Sequence, residues 1–374
     1  MPASPKVANT APTVVVENDI EIRLELEALQ TGKSREISTL DSTQTTLEPS
    51  SHTPILTLPP EILSEIFLHF LPPYPRTPPF IGKYSPTCLI LVCREWHSVA
   101  ISTPALWWGI QLGFNFRFVP LQKAGIALAQ LWLDRSGCLP LSIFASDMES
   151  YDAFPIFDVL VPHCHRWEHL TLAINVYEDL HAIAGLTMPI LRTLDMLLEI
   201  EDAIDSPLIL HDVPLLRSVV LEDNGEGRNL ELPWSQLTSL TLESLLVEDC
   251  ISILRETPNL VKCTLQLTVS RTTEDAYPDI SLLHLETLVF EKDFCDVDVQ
   301  FFQSLITPAL LHLELPEPFL GSSDSDCVHS LKAFASKSRC MLNKLRITKS
   351  RSTEGVYRDA FPDIHSIIII PARL

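Results

Sequence analysis

The sequence predicts an α/β chain in which a short all-α segment of about three helices precedes a long succession of strand-forming repeats. Two observations predict it. Between residues 58 and 108 apolar residues recur at helical spacing behind proline start signals. From about residue 139 onward the apolar period falls to two, and one short leucine pattern returns again and again.

Taken in order, residues 1–54 are rich in Ser, Thr, Pro and Ala, and "STLDSTQTTLEPSSHTP" reads as a disordered or weakly helical arm. Within it "IEIRLELEAL" is ambiguous: Ile20, Ile22, Leu24 and Leu26 alternate as in a strand, whereas Ile22, Leu26 and Leu29 fit a short helix, the favoured reading.

Residues 55–112 carry helix signals. In "LPPEILSEIFLHFLPPYP" Pro59 and Pro60 suit a first helical turn, Glu61 complements the helix dipole, and Pro72 and Pro73 end the run. Ile62, Leu63, Ile66, Phe67 and Phe70 form one apolar stripe on a helix too short to stand alone, so the stripe is expected to dock on something. A second helix is predicted from Ser85-Pro86, with Leu89, Val92, Cys93, Trp96 and Ala100 on one face. A third is predicted from Thr103-Pro104 into Leu106, Trp107 and Trp108. The proline-rich "PPYPRTPPFIGKYSP" joins the first two as an extended loop.

The remainder, 113–374, is predicted to be repetitive. "WEHLTLAI", "LRTLDML", "LRSVVLE", "LTSLTLE", "LVKCTLQ", "LETLVFE", "LLHLELP" and "LNKLRIT" share the template L-x-x-L-x-L, their starts separated by 24, 25, 21, 23, 25, 25 and 32 residues. This period and template are the signature of leucine-rich repeats, and they predict an irregular solenoid in which template leucines such as Leu240 and Leu242 fill the core. "CLPLSIFAS" reads as an irregular first unit and "IHSIIIIPARL" as a last strand.

Composition excludes several classes of function. The net charge of −21 argues against nucleic acid and anionic membrane partners, although residues 321–374 hold nine Lys+Arg against five Asp+Glu. Nine cysteines without a C-x-x-C pair suggest neither a disulfide framework nor a zinc site, and a reducing cytoplasmic or nuclear compartment is expected. No signal peptide or membrane span is predicted. No phosphate loop, G-x-S-x-G elbow or H-E-x-x-H motif points to an enzyme, and no cofactor is expected. His163, Cys164 and His165 in "PHCHRW" suit a turn into a strand better than a metal site, since adjacent strand residues face opposite ways. Asp293, Asp296 and Asp298 lack the glycine of a calcium loop.

Residues 58–108 resemble an F-box of the F-box-like type: Leu58, Pro59, Glu61, Ile62, Leu63, Ile66 and Phe67, then Val92, Cys93, Arg94 and Trp96, then Pro104, Leu106 and Trp107 match its pattern. The loop between the helices is longer and richer in proline than that family's norm. With the repeats, the chain is similar to F-box/leucine-rich-repeat proteins abundant in mushroom-forming fungi. The resemblance implies a substrate-recognition subunit of an SCF-type cullin-RING ubiquitin ligase. Leu58, Pro59, Glu61, Ile62, Leu63, Ile66, Phe67, Val92, Cys93 and Trp96 would bind the small adaptor and, through it, the cullin. The alternative is a repeat scaffold whose N-terminal helices only cap the solenoid. By the template's register, Asp195, Glu222, Glu243, Glu291 and Glu314 are expected on the exposed strand face. Diluted by Lys262, Lys344 and Arg346, they suit a substrate with a basic segment.

Overall fold

The computed structural model describes residues 58–112, 119–146, 156–174, 181–198, 208–210, 212–223, 230–268, 277–291, 299–321 and 323–372. The arm 1–54 and the acidic segment 292–298 lie outside the described residues. The chain divides into two compact units, Met1–Leu170 and Thr171–Leu374.

In the first unit, helix α1 (Pro60–Leu68) starts behind Pro59 and carries Glu61 in its first turn. Its stripe is divided: Leu63 and Phe67 are buried, whereas Ile62 and Ile66 are exposed. The predicted second helix is two short ones, α2 (Thr87–Ile90) and α3 (Arg94–Ile101). The break has a local cause. Cys93 is extended (φ −159°, ψ 172°), and its Sγ caps α3 by accepting from the Trp96 N–H. The predicted third helix is a single 3-10 turn, Pro104–Leu106, that runs into strand β1 (Gly109–Leu112). Helix α4 (Val119–Arg135) connects β1 to β2 (Leu141–Ser146), which pairs parallel to it with Gly109 opposite Ser142.

Aromatic side chains hold these pieces together. Phe80 and Trp107 both meet Trp132 edge-on, with ring centroids 4.7 and 5.3 Å apart. The Trp107 indole donates to the Ala100 carbonyl at 3.0 Å, and Ser142 Oγ donates to the Pro75 carbonyl at 2.6 Å. Segment 77–78 lies so close to β1 that a Cβ on Gly109 would sit 2.5 Å from Pro78 Cδ. Short helix α5 (Phe157–Leu160) and a 3-10 turn (Val161–Arg166) lead into β3 (Trp167–Ile174). There, buried Arg166 donates to the Leu139 carbonyl and to Ser136 Oγ.

The second unit repeats one strand motif. Strands β4 (Thr193–Leu198), β6 (Ser218–Asp223), β8 (Ser239–Leu246), β9 (Lys262–Thr268), β11 (Thr287–Phe290), β13 (His312–Pro316), β14 (Lys344–Ser350) and β15 (Ser366–Pro371) pair in parallel. Each template's second and third apolar residues are buried, as at Leu194/Met196, Leu240/Leu242, Cys263/Leu265 and Leu345/Ile347. Each such side chain contributes about 1.5–3 kcal/mol by leaving water. The residues between them face the other way and stay partly exposed. Phe290, Phe301, Phe302, Phe319 and Phe334 form an aromatic cluster behind the later strands, with Phe302 and Phe334 stacked at 4.1 Å.

The expected architecture is corrected by this arrangement. Among the described residues no helical F-box stands toward the N-terminus. The helices of residues 60–101 are short, irregular chain separates α1 from α2, and all of them belong to one unit with β1, β2 and α4. The sheet begins at Gly109, before the residue where the repeats were expected to start. Nor is the expected irregular solenoid evident among the described residues. Among the described residues, helices α6 (Val247–Arg255), α7 (Val299–Ser304), α8 (Asp324–Ser338) and α9 (Glu354–Ala360) fill connections late in the unit. Elsewhere the two-residue strands β5 (Leu208–Ile209) and β7 (Leu230–Glu231), and β10 (Ile280–Ser281) and β12 (Leu305–Ile306), form two small separate sheets. The leucine template instead specifies an α/β fold built, among the described residues, on one 11-stranded, all-parallel sheet of order β1-β2-β3-β4-β6-β8-β9-β11-β13-β14-β15.

Candidate interaction surfaces

Two surfaces carry the residues singled out by the sequence. The first belongs to α1–α3. Phe67 packs on Trp96 with centroids 4.8 Å apart, which joins α1 to α3. Around that contact the side chains divide by exposure. Leu63 and Phe67 are fully internal and so hold the helices together rather than presenting themselves to a partner. Leu58, Cys93 and Trp96 are half-buried, and Pro59 and Glu61 are exposed. Ile62 is 49% exposed, Ile66 42%, Leu91 36% and Val92 58%. Ile62 and Ile66 lie on α1, and Leu91 and Val92 in the turn between α2 and α3; large aliphatic side chains so exposed are candidate contact residues. Leu91 is the member that sequence reasoning missed; its place beside Val92 in "LILVC" was the available signal. Trp107 and Trp108 are both buried and take no part in it.

The second surface is the polar face of the sheet in the second unit. Parallel sheets are ordinarily covered on both faces by apolar layers; here one face carries hydroxyls, amides and charges. The register orders them in rows. Asp195, Val220, Thr241, Thr264, Val289, Glu314 and Arg346 stand opposite one another on successive strands. Two residues further on, Glu222 pairs with Leu197 and Glu243, and Glu243 with Gln266. Glu291 follows β11 at that same level, its N–H donating to the Leu265 carbonyl. The five acidic residues therefore do not form a single column. Glu222, Glu243 and Glu291 share one level, whereas Glu314 and Asp195 lie one pleat earlier. In the template they occupy different positions, after the last leucine in one case and between the two leucines in the other.

Electrostatics follow from that placement. Burial, and then the Glu222 carboxylate, push the Asp195 carboxyl above its usual range. Glu314 lies beside Arg346, with Oε1 to Nε at 3.4 Å. A further row, two residues before the first, runs Thr193, Ser218, Ser239, Lys262, Thr287, His312, Lys344 and Ser366. The face is thus acidic on β4, β6 and β8 and gains basic groups on β9 and β14.

No protein-family model matches the chain, and comparison with curated proteins and with solved structures gives no match.

Among the described residues no helix is long and apolar enough to cross a membrane, and no group of three or more His, Cys, Asp or Glu is placed to hold a metal ion. His163 and Cys164 lie in the 3-10 turn before β3. Burial lowers the His163 pKa, which favours the neutral imidazole, and raises that of the Cys164 thiol, which disfavours the thiolate.

Proposed function

We propose that the chain is a non-catalytic recognition subunit of a cullin-RING ubiquitin ligase: α1–α3 bind the ligase adaptor and the polar sheet face binds the protein to be modified. The observation that carries this reading is the exposure of Ile62, Ile66, Leu91 and Val92 on the segment whose sequence resembles an adaptor-binding motif. A soluble partner that covers them gains burial at roughly 25 cal/mol per Å² of apolar surface. Leu58, Pro59 and Glu61 would sit at the rim of that contact, while Leu63 and Phe67 act from inside by fixing the helices. The acidic strands, with Asp195, Glu222, Glu243, Glu291 and Glu314, suit a basic segment of the partner, through steering and specificity more than raw affinity. The contribution is proximity, with the chemistry supplied by the ligase.

A second reading, a protein-interaction scaffold that joins no ligase, is favoured by the packing of α1–α3 into the unit that holds β1 and β2. Mixing the purified chain with purified adaptor and following co-elution separates the two. Co-elution that survives dilution to micromolar concentration supports the ligase reading; separate elution favours the scaffold.

A further inference from the structure

The row Lys262–Thr287–His312–Lys344 crosses four adjacent parallel strands, each residue opposite the next. Neighbouring strands lie about 4.8 Å apart, so these side chains stand at the spacing of one small group each. Beside the row is an open depression of about 140 Å³, lined by Thr287, Val289, His312, Glu314, Lys344 and Arg346.

Its donors outnumber its acceptors. Lys344 is exposed, and no ion pair to it is found among the described residues. Arg346 meets Glu314 only at the outer limit of hydrogen bonding: Nη1 to Oε2 is 3.5 Å, and the buried Nε has no aligned acceptor. Thr287 Oγ1 lies 3.5 Å from His312 Nδ1, a distance at which both retain capacity for another partner. The Arg346 Nε lies 3.4 Å from Glu314 Oε1 without the alignment of a hydrogen bond, so a further oxygen acceptor carrying negative charge would improve its pairing. One compact group suffices, because Glu314 inside the depression and exposed Glu286 and Glu291 nearby disfavour an extended polyanion.

We propose that this depression binds a single oxyanion, a carboxylate or phosphate group presented by a protein partner, with Lys344 and Arg346 supplying charge and Thr287 and His312 supplying orientation. Glu314 steers the guanidinium into the depression while leaving its other N–H groups to the ligand. Used on a partner, this site would read an acidic group some strands away from the acidic part of the face that suits a basic segment. That use rests on the recognition reading above; oxyanion binding itself does not.

The test uses the full chain and inorganic phosphate as the probe, with the phosphorus NMR line width followed at constant ionic strength. Saturable broadening is expected, reduced at least fivefold in Lys344→Met and in Arg346→Met. Lys332→Met, an exposed lysine on α8, is expected to leave it unchanged. Acetate added as competitor distinguishes the sources: displacement at similar concentration assigns a carboxylate-tolerant site, and failure to displace assigns a phosphate-selective one. Non-saturating broadening, or broadening equal in wild type and both site variants, overturns the proposal. Adaptor co-elution measured on the same samples keeps its failure separate from failure of the ligase reading.

Discussion

Tyr357→Phe is the sharpest test of the packing that closes the C-terminal strands. Glu317 is buried at the end of β13 and accepts hydrogen bonds from Ser350 Oγ at 2.8 Å, from the Arg351 backbone N–H, and from Tyr357 Oη at 2.7 Å. Ser352 lies within reach of the same carboxylate and donates to Asp324 at 2.7 Å. Burial pushes the Glu317 carboxyl up, but the bonds from Ser352, Arg351, Tyr357 and Ser350 outweigh it and hold the group below its usual value. Burial, and then the bond to Glu317, push the Tyr357 phenol up, so it remains a donor throughout the accessible range. Removing only the hydroxyl leaves the ring, which is fully buried, in place. The loss is therefore one hydrogen bond to a charged acceptor, about 1.5–3 kcal/mol. Because the native pKa of Glu317 is depressed, its stabilisation is complete above the unfolded carboxylate value of about 4.3 and is lost as pH falls through the native value. Denaturant melts at neutral pH are expected to show the full difference between wild type and Tyr357→Phe, shrinking below pH ~4 to that of a neutral bond, about 1 kcal/mol. A difference under about 0.5 kcal/mol at neutral pH, or one that grows on acidification, would refute the reasoning.

Leu242→Ala, in a fully buried position, is expected to cost about 2–5 kcal/mol, while Thr241→Ala on the polar face stays within about half a kcal/mol; the reverse order in denaturant melts shifts the register by one residue. Gly109→Ala forces Cβ against Pro78 and is expected to lower the melting temperature of the chain by several degrees, measured by calorimetry. Arg166→Met leaves the Leu139 carbonyl and Ser136 hydroxyl without their donor and is expected to destabilise by about 1–3 kcal/mol in the same melts. Reversing Glu243 and Glu291 to Lys is expected to weaken capture of a basic partner at low salt and to have little effect at high salt, where exposed charges are screened beyond about 3 Å at 1 M.

The strands were the most legible part of the sequence. A template that places leucines two apart cannot bury both on a helix without burying its neighbours, so "LTSLTLE" and "LVKCTLQ" read directly as strands with one internal face. What the template did not carry was the form of the connections. Helix α6 announces itself in "VEDCISILRE", whereas β5, β7, β10 and β12 are two-residue strands fixed by pairing with each other, a contact with no local signature. The N-terminal helices are shorter than their apolar periodicity implies for a related reason. Apolar periodicity ran unbroken through "LILVCREW", yet Cys93 takes an extended conformation to cap α3, and Leu106 and Trp107 are drawn into the core beside Trp132 instead of continuing a helix. On the polar face, the acidic residues are legible because they are numerous. The basic and hydroxyl row was equally legible, as the residue before the second leucine of each template: Lys262, Thr287, His312 and Lys344. It needed the register to be seen as a row.

The central claim is that α1–α3 present an apolar surface to a ligase adaptor. Ile62 and Ile66 are exposed, so replacing both with Asp leaves the buried pair Leu63 and Phe67 and the Phe67–Trp96 contact intact. Apolar anchors at such contacts cost about 2 kcal/mol or more when lost. In a calorimetric titration of purified adaptor into the full chain, the double variant is expected to bind at least tenfold more weakly than wild type, with an unchanged melting temperature. Equal affinity of variant and wild type, or no binding by either, contradicts the account.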